Sequence, residues 1–445
     1  MKRLNISVLL FVLCSPAAAG AVEYSLDDCI KMALDRSEMV KTAQADLEFY
    51  RGKYHEAFSA FWLPHVQATL MGGGPVGKMK TNVERVTDAS NFAAMGVSAD
   101  GVIIRGGIDI VWPLYTFGKL GALMDAASSG VDAATSGVEA ARTTLAMNIR
   151  KAYYGYMMAQ EVITIIDDGK TKLNDARKKV KEQLDAEDPQ ATEKDLFKID
   201  YYASELVSRH EEASKGVVVA ESTLRMLTGV PAGEAFAVQK INIEEGLADL
   251  PAVNGYIDEA AKTNPGLKAL ARAVDARTSL TRAASRAYYP DIFIGGGFNF
   301  SWSNLKYDEY SYLVRDDVNY VGAAVGLGIK IDLDIGIKYG QEEQARAELS
   351  KIRNQAALAE KGLSLQVRKA YAEYKAAQAT YKSYKSGAKA ARKWLVAATM
   401  NYNAGLGDTR DMLDALVAHA QARIQELKTA LDAKMALAEL LQATG

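Results

Sequence analysis

The sequence predicts a mixed α and β chain, mostly α-helical, in which one structural unit occurs twice. The segments Ile149–Gln160 and Val367–Gln378 share seven of twelve residues at an offset of 218 positions. Long heptad runs and four segments of alternating polarity recur in the same order in both halves. Self-similarity at a fixed offset indicates an internal tandem duplication. We expect a first repeat over 22–229, a connector in an equatorial region over 230–253, and a second repeat over 254–445.

The first 21 residues have the three parts of a secretory signal. Lys2 and Arg3 precede an apolar run from Leu4 to Cys14, and small residues follow from Ala17 to Ala21. The apolar run is well below the roughly 20 residues that a membrane-spanning helix needs. We therefore predict a cleaved signal peptide over 1–21 and export of the mature chain.

Apolar residues repeat every seven positions in both halves, which predicts left-handed coiled coils. A helix from about Lys119 to Asp185 would be on the order of 100 Å long at 1.5 Å per residue. Such a helix needs partners along its length, first the returning helix and then neighbouring hairpins. The two predicted seams are Val131, Val138, Leu145, Ala152, Ala159, Ile166, Leu173 and Val180, and Leu349, Ala356, Leu363, Ala370, Ala377, Tyr384, Ala391 and Ala398.

Four segments of about ten residues are predicted strands: Phe61–Gly73, Gly101–Pro113, Asp291–Ser303 and Tyr320–Leu333. Each has one apolar side and one small or polar side, and aromatic residues lie at the strand ends. This pattern is typical of membrane β-strands, although a half-buried sheet in a soluble protein gives a similar one. Four strands cannot close a transmembrane barrel, since the smallest barrels need about eight, so several chains would contribute.

Composition and motifs argue against several other functions. Lys and Arg number 53 against 55 Asp and Glu, without a basic run interleaved with aromatics, so no nucleic acid is expected as a partner. The four histidines form no HxH or HExxH pair, and no GxSxG motif surrounds a serine. We therefore predict no enzyme activity, no catalytic residues, no metal site and no cofactor.

The order of parts and the segment Tyr402–Ala415, YNAGLGDTRDMLDA, resemble the TolC-type outer-membrane efflux proteins. These are the outer-membrane factors of tripartite efflux or type I secretion systems, and the resemblance covers about 23–445. It implies a trimeric twelve-stranded β-barrel, with four strands per protomer, continued by a long periplasmic α-helical coiled-coil barrel.

The function that the resemblance implies is a passive exit duct in the outer membrane of a Gram-negative bacterium, with a large periplasmic part. Its implied partners are two further copies of the chain in a homotrimer, a periplasmic adaptor protein, an inner-membrane transporter and outer-membrane lipid. The sequence names neither the transporter nor the exported substrate, which could be a drug, a metal or a protein. A soluble periplasmic coiled-coil scaffold without a pore is the alternative that the long helices leave open.

The resemblance also implies a gate at the periplasmic end of the hairpins. Tyr402, Asp411 and Asp414 lie at positions matching the family's aperture residues, and Asp195 matches an aperture acid of the first hairpin. Gly407 stands where the family has an arginine, and Arg410 could replace that residue. Asp411 and Asp414 are three apart and share a helix face, so threefold repetition would give six clustered carboxylates that attract cations. The alternative is that acids after a turn only cap a helix, and this reading fits Asp408 best.

Overall fold

The computed structural model describes residues 23–79, 97–187, 192–231, 234, 236–242, 247–304 and 319–445. The predicted signal peptide lies outside these residues. The described elements are, in chain order, β1 (Glu23–Tyr24), α1 (Leu26–Arg36), α2 (Glu38–Trp62), β2 (His65–Met79), β3 (Val97–Tyr115), α3 (Lys119–Asp185), α4 (Glu193–Thr228), β4 (Ala237–Val238), α5 (Val253–Thr263), α6 (Pro265–Arg286), β5 (Asp291–Ser303), β6 (Tyr320–Lys330), α7 (Ile335–Asn403) and α8 (Thr409–Thr444).

Two compact units divide the chain, and each takes residues from both sequence halves. The first unit comprises 1–44, 137–267 and 359–445, and the second comprises 45–136 and 268–358. The four long strands belong to the second unit, whereas both hairpin tips belong to the first. No helix in the described part of the chain is long and apolar enough to cross a membrane.

The four long strands form one antiparallel sheet in the order β2-β3-β5-β6. Several predicted boundaries are wrong: β2 continues to Met79, and β3 extends beyond both predicted ends, over Val97–Tyr115. Strand β2 begins at His65 because Phe61 and Trp62 still belong to α2, and Pro64 then disfavours helical backbone at the residue before it. Strand β6 ends at Lys330, three residues before the predicted end.

The predicted alternation gives the sheet one apolar face and one small or polar face. Ile108 pairs with Phe298 and Trp112 pairs with Ile294 on the apolar face. Each of these strands presents its apolar side chains to the same side because side chains alternate along a strand. Val321, Val325, Leu327 and Ile329 of β6 extend that face and are largely exposed in the single chain.

Gly106 shows why glycine occurs on this face. It lies opposite Phe300, and a Cβ at residue 106 would lie 2.3 Å from Cε1 of that ring. The phenylalanine ring therefore covers the glycine backbone, and a larger residue would displace it. The opposite face carries Arg105 and Asp109 on β3 and Asn299 on β5, in agreement with the prediction of a polar side.

The first predicted coiled-coil seam is confirmed, since six of its residues from Val138 to Val180 are buried. In the second seam Leu349, Ala370 and Ala398 are buried, and the prediction is wrong at Tyr384, which is exposed. Alanine is frequent along α7, so apolar type alone did not distinguish one heptad phase from another. A second heptad series of α7 is buried at six successive positions: Val367, Tyr374, Tyr381, Ala388, Leu395 and Tyr402.

The duplicated segments hold the connector. The hydroxyl of Tyr153 donates to the main-chain oxygen of Gln239 at 2.6 Å. The hydroxyl of Tyr374 donates to the main-chain oxygen of Ala248 at 2.5 Å. Both tyrosines are fully buried, so these bonds satisfy polar groups that water does not reach. Both tyrosines are therefore packing residues, and each also fixes one part of the connector.

Candidate functional site

The second tip, defined as Tyr402–Asp414, joins α7 to α8 through a Schellman turn. Gly405 has a φ of 72°, which is the left-handed conformation that glycine adopts without strain. The Leu406 amide donates to the Asn401 oxygen at 2.9 Å, and the Gly405 amide donates to the Tyr402 oxygen at 3.2 Å. These bonds satisfy carbonyls at the end of α7 that have no partner within the helix.

Leu406 does not make the apolar contact that often accompanies this turn. The residue at the corresponding helix position is Asn401, and the leucine is 84% exposed in the single chain. The second tip therefore presents a large apolar side chain outward.

Gly407 explains why the arginine that the family has here is missing. A Cβ at this position would lie 2.9 Å from the Tyr402 nitrogen and 3.1 Å from the Asn401 carbonyl carbon. Both atoms belong to the backbone and cannot rotate away, so any side chain at 407 requires a different turn. The Gly407 amide also donates to the Asn401 oxygen at 3.1 Å, which holds the chain close to the helix end.

The acids that follow this turn differ in their partners. Asp408 is the N-cap of α8 and accepts from the Arg410 amide at 3.2 Å, as the capping interpretation predicts. Oδ1 of Asp411 accepts from Nε1 of Trp394 at 3.1 Å. Oδ2 of Asp414 lies 3.7 Å from Nε of Arg410, one helical turn earlier. Asp411 and Asp414 are both exposed, so their charges remain available to ions in solution.

Tyr402 is a core residue of the second tip. Its side chain is 4% exposed and packs in a cluster that contains Ala176 and Val180 of α3 and Leu413 of α8. Burial raises the pKa of Tyr402, the nearby Thr409 hydroxyl lowers it in part, and the Asp195 carboxylate raises it further. Within the described residues, no hydrogen bond of acceptable geometry reaches the Tyr402 hydroxyl.

Asp195 of the first hairpin forms its hydrogen bonds with Thr192, at the start of its own helix, α4. Its Oδ2 accepts from the Thr192 amide at 3.0 Å and from the Thr192 hydroxyl at 2.7 Å. Its own amide donates to the Thr192 oxygen at 2.9 Å. The carboxylate therefore stabilises the start of α4, and it also lies near enough to Tyr402 to raise the pKa of that hydroxyl.

Two further side chains at the second tip have no sequence signature. Nζ of Lys179 on α3 donates to the Tyr402 oxygen at 2.9 Å and to Oδ1 of Asn403 at 3.3 Å. It also lies 4.3 Å from the centroid of the Tyr402 ring. Trp394 orients Asp411, as described above. Lys179 stands in a charged run, KKVKEQ, whose appearance is that of a solvated face, and only its position beside the seam residue Val180 distinguishes it.

No group of three or more His, Cys, Asp or Glu residues in the described ranges is placed to hold a metal ion. Of the predicted site residues, the structure brings Arg410 together with Asp414, and Asp195 close to Tyr402. It gives Asp411 a different partner, Trp394.

A duplicated chain with two very long hairpins and a four-stranded sheet of one apolar face is built like a subunit of an outer-membrane channel. Residues 29–185 and 256–445 match the sequence profile described as outer membrane efflux protein. The match covers well over half of the sequence, and the chain belongs to this family. It is an outer-membrane efflux protein, a family of passive channels and not of enzymes, and a scaffold without a pore is not favoured.

Solved structures share the fold at low sequence identity. The Campylobacter jejuni CmeC outer membrane channel has a TM-score of 0.77 at 15% identity, covering 100% of this chain and 94% of that one. The open state of the Neisseria gonorrhoeae MtrE outer membrane channel has a TM-score of 0.74 at 18% identity, covering 94% and 88%. A membrane protein from Pseudomonas aeruginosa has a TM-score of 0.74 at 19% identity, covering 96% and 91%. A search of curated proteins gives no match.

Proposed function

We propose that three copies of this chain form a passive exit duct whose periplasmic mouth is gated at the second tip. Proteins of the family work with periplasmic adaptors and inner-membrane transporters in tripartite pumps. In this proposal the transporter supplies the energy and selects the substrate, and the duct contributes a mouth that opens and closes. Its partners are a periplasmic adaptor, an inner-membrane transporter and outer-membrane lipid.

The trimer is supported by surfaces that a single chain leaves open. Strands β2 and β6 are the two edges of the sheet, and an uncovered edge is a template for pairing with another chain. Three such sheets, joined edge to edge, supply the twelve strands of a closed barrel, which satisfies every backbone group in lipid. Helix α4 also exposes several large apolar residues that a neighbouring hairpin would cover: Phe197, Tyr201, Val207, Val218, Val219 and Met226.

The exposure of both Asp411 and Asp414 is the main observation in support of a gate at the second tip. These carboxylates lie on the solvent side of α8, whereas the residues between and after them are buried in the tip cluster. With Arg410 beside Asp414, the three side chains leave one net negative charge per copy. Three copies around one axis would form a ring of negative charge that attracts cations and binds divalent ions at the mouth.

The other proposed gate residues act in different ways. Tyr402 fills the core of the second tip and transmits movement of α7 to the acids on α8. Arg410 moderates the charge of Asp414, and Asp195 keeps the start of α4 ordered opposite Tyr402. Leu406, which is exposed at the end of the turn, is available to an apolar surface of the adaptor.

Planar-bilayer recordings of the detergent-extracted full-length protein test this proposal. We expect a cation-selective current that calcium on one side blocks. Each unit charge within about 4 Å of a cation contributes about 1 kcal/mol in water, so Asp411→Asn/Asp414→Asn is expected to weaken the block by about tenfold or more. Asp432→Asn, an exposed acid farther along α8, is the matched control and is expected to leave the block unchanged.

Two results would count against the proposal. A wild-type protein that gives no current would contradict the duct. A wild-type current whose calcium block is the same in the double variant would keep the duct and reject Asp411 and Asp414 as its gate.

A further inference from the structure

Lys179 joins the two hairpins at their tips. It belongs to α3 of the first hairpin, and both of its hydrogen-bond acceptors belong to the last two residues of α7 in the second hairpin. Its neighbours Ala176 and Val180 are buried in the cluster that also contains Tyr402. The side chain is therefore fixed where α3 packs against the end of α7.

The end of α7 favours a nearby cation, and α7 itself supplies none. The last carbonyls of a helix lack partners within it, and the helix dipole places partial negative charge there. The last turn of α7 contains no basic residue. Lys179 is a second donor to the Tyr402 carbonyl, which also accepts from the Gly405 amide, and its ammonium lies near the Tyr402 ring face. The first hairpin thus supplies a cap to the second.

The neighbouring lysine shows that this contact is specific to position 179. Lys178 is largely exposed, and its ammonium lies 4.0 Å from Glu182 on its own helix. Both residues carry the same charge on the same helix, and one of them bridges to the second tip. The chain therefore provides its own matched control.

We propose that Lys179 is the residue that holds the second tip against α3 and so stabilises the closed mouth; this rests on the proposed function. Movement of α7 relative to α3 must break the contacts with the Tyr402 carbonyl, the Tyr402 ring and the Asn403 amide oxygen. Packed helices have discrete arrangements, so loss of these contacts shifts the population toward the open one. Lys179 is a positioning residue, because it acts on the gate acids through α7.

The test measures the open-to-closed ratio of single channels formed by the full-length protein in a planar bilayer. Lys179→Met keeps the apolar stem and removes the ammonium. Since a hydrogen bond from a charged donor is stronger than a neutral one, we expect the ratio to rise at least about fivefold. Lys178→Met is expected to match the wild type. Lys179→Arg retains a cation and is expected to restore most of the closed population.

A second variant keeps the test decisive if Lys179→Met does not assemble. Asn403→Ala removes one exposed acceptor of the same bridge and is expected to raise the ratio by a smaller amount in the same direction. The calcium block is expected to persist in both variants, because Asp411 and Asp414 are retained.

The outcomes separate the two proposals. No wild-type current would reject the exit duct itself. A wild-type current with Lys179→Met indistinguishable from Lys178→Met, or less open than the wild type, would reject the Lys179 bridge and leave the duct standing. A rise in the open-to-closed ratio in Lys179→Met and Asn403→Ala, but not in Lys178→Met, would support the bridge.

Discussion

The two hairpin tips use their acidic residues for different purposes. In the first hairpin, Asp195 turns back onto Thr192 and satisfies the start of α4. In the second, Asp408 takes the capping position, and Asp411 and Asp414 remain exposed on α8. Helices α4 and α8 have 36 residues each, so the duplication preserved the length while the tips diverged. A duplicated unit can thus keep one copy for stability and adapt the other for function.

The return helices differ in the same direction. Helix α8 has 14 buried residues in the single chain, whereas α4 has three. Helix α8 is therefore held mainly by its own chain, whereas α4 leaves a surface that a neighbouring copy would cover in the proposed trimer. The second tip rests on the better-packed helix, which positions its exposed acids on a firm support.

The largest expected effect is loss of the core beneath the second tip. Leu413→Ala removes a side chain that is 1% exposed within the tip cluster, and a buried Leu→Ala change costs about 2–5 kcal/mol. Leu406→Ala, in the adjoining turn, removes an exposed side chain and is expected to cost less than about 0.5 kcal/mol. Thermal midpoints of the full-length protein in detergent compare the two. Equal midpoints would show that the cluster does not support the second tip.

Gly407→Ala is the next test, since it adds the Cβ that the turn excludes. The close approach to the Tyr402 nitrogen predicts a cost of about 1–3 kcal/mol, as for overpacked sites. Gly362 lies within α7, and a Cβ there meets nothing within 4 Å. Gly362→Ala is therefore expected to stabilise the helix by about 0.5–1 kcal/mol. Thermal midpoints that move in the same direction for both variants would contradict the account of the turn.

Asp195→Asn and Asp414→Asn sharpen the contrast between capping and gating. The Asp195 change weakens the contacts with Thr192 and is expected to cost about 1 kcal/mol, as other cap losses do. The Asp414 change breaks an exposed ion pair with Arg410, which contributes less than about 1 kcal/mol. Proteolytic cleavage between the end of α3 and the start of α4 is expected to accelerate only in Asp195→Asn. Equal proteolysis of the two variants would remove the distinction.

The smallest expected effect is a pH dependence carried by the second hairpin. Burial lowers the pKa of His419 on α8; Lys172, Arg392 and Arg423 lower it further, and Asp168 opposes them. The pKa of His419 in the folded protein lies below its ordinary value near 6.5, so the unfolded chain binds a proton more readily. The folded protein therefore has its full stability above about pH 6.5 and loses part of it as the pH falls below that value. His419→Gln is expected to reduce the loss of thermal midpoint between pH 7 and pH 5 by the equivalent of less than about 1 kcal/mol.

His210 on α4 is the control for that measurement. Its ring nitrogens lie 3.7 Å from Asp167 and 3.7 Å from Glu211, so its surroundings are acidic rather than basic. His210→Gln is expected to leave the loss at low pH in place. A profile flattened by His210→Gln and not by His419→Gln would reverse the assignment.

The sequence was sufficient for the repeat, the hairpins and the faces of the sheet, because these follow from periodicities of seven and two residues. It was insufficient where several phases contain small apolar residues, as in α7, and only packing selected the series that ends at Tyr402. The family resemblance located the second tip. It did not reveal that Gly407 is required by the backbone, since that depends on a turn geometry with no local motif. Lys179 contacts Tyr402 and Asn403, which lie more than 200 residues later in the sequence. A contact between such distant residues cannot be predicted from local residue spacing.

The most direct test of the division between the tips is the calcium block of three single variants, Asp195→Asn, Asp411→Asn and Asp414→Asn, recorded under one voltage in planar bilayers. We predict that the calcium concentration for half block rises in the Asp411 and Asp414 variants and stays at the wild-type value in the Asp195 variant. An Asp195 variant that relieves the block as strongly as the other two would contradict it, because the first tip would then belong to the ion pathway.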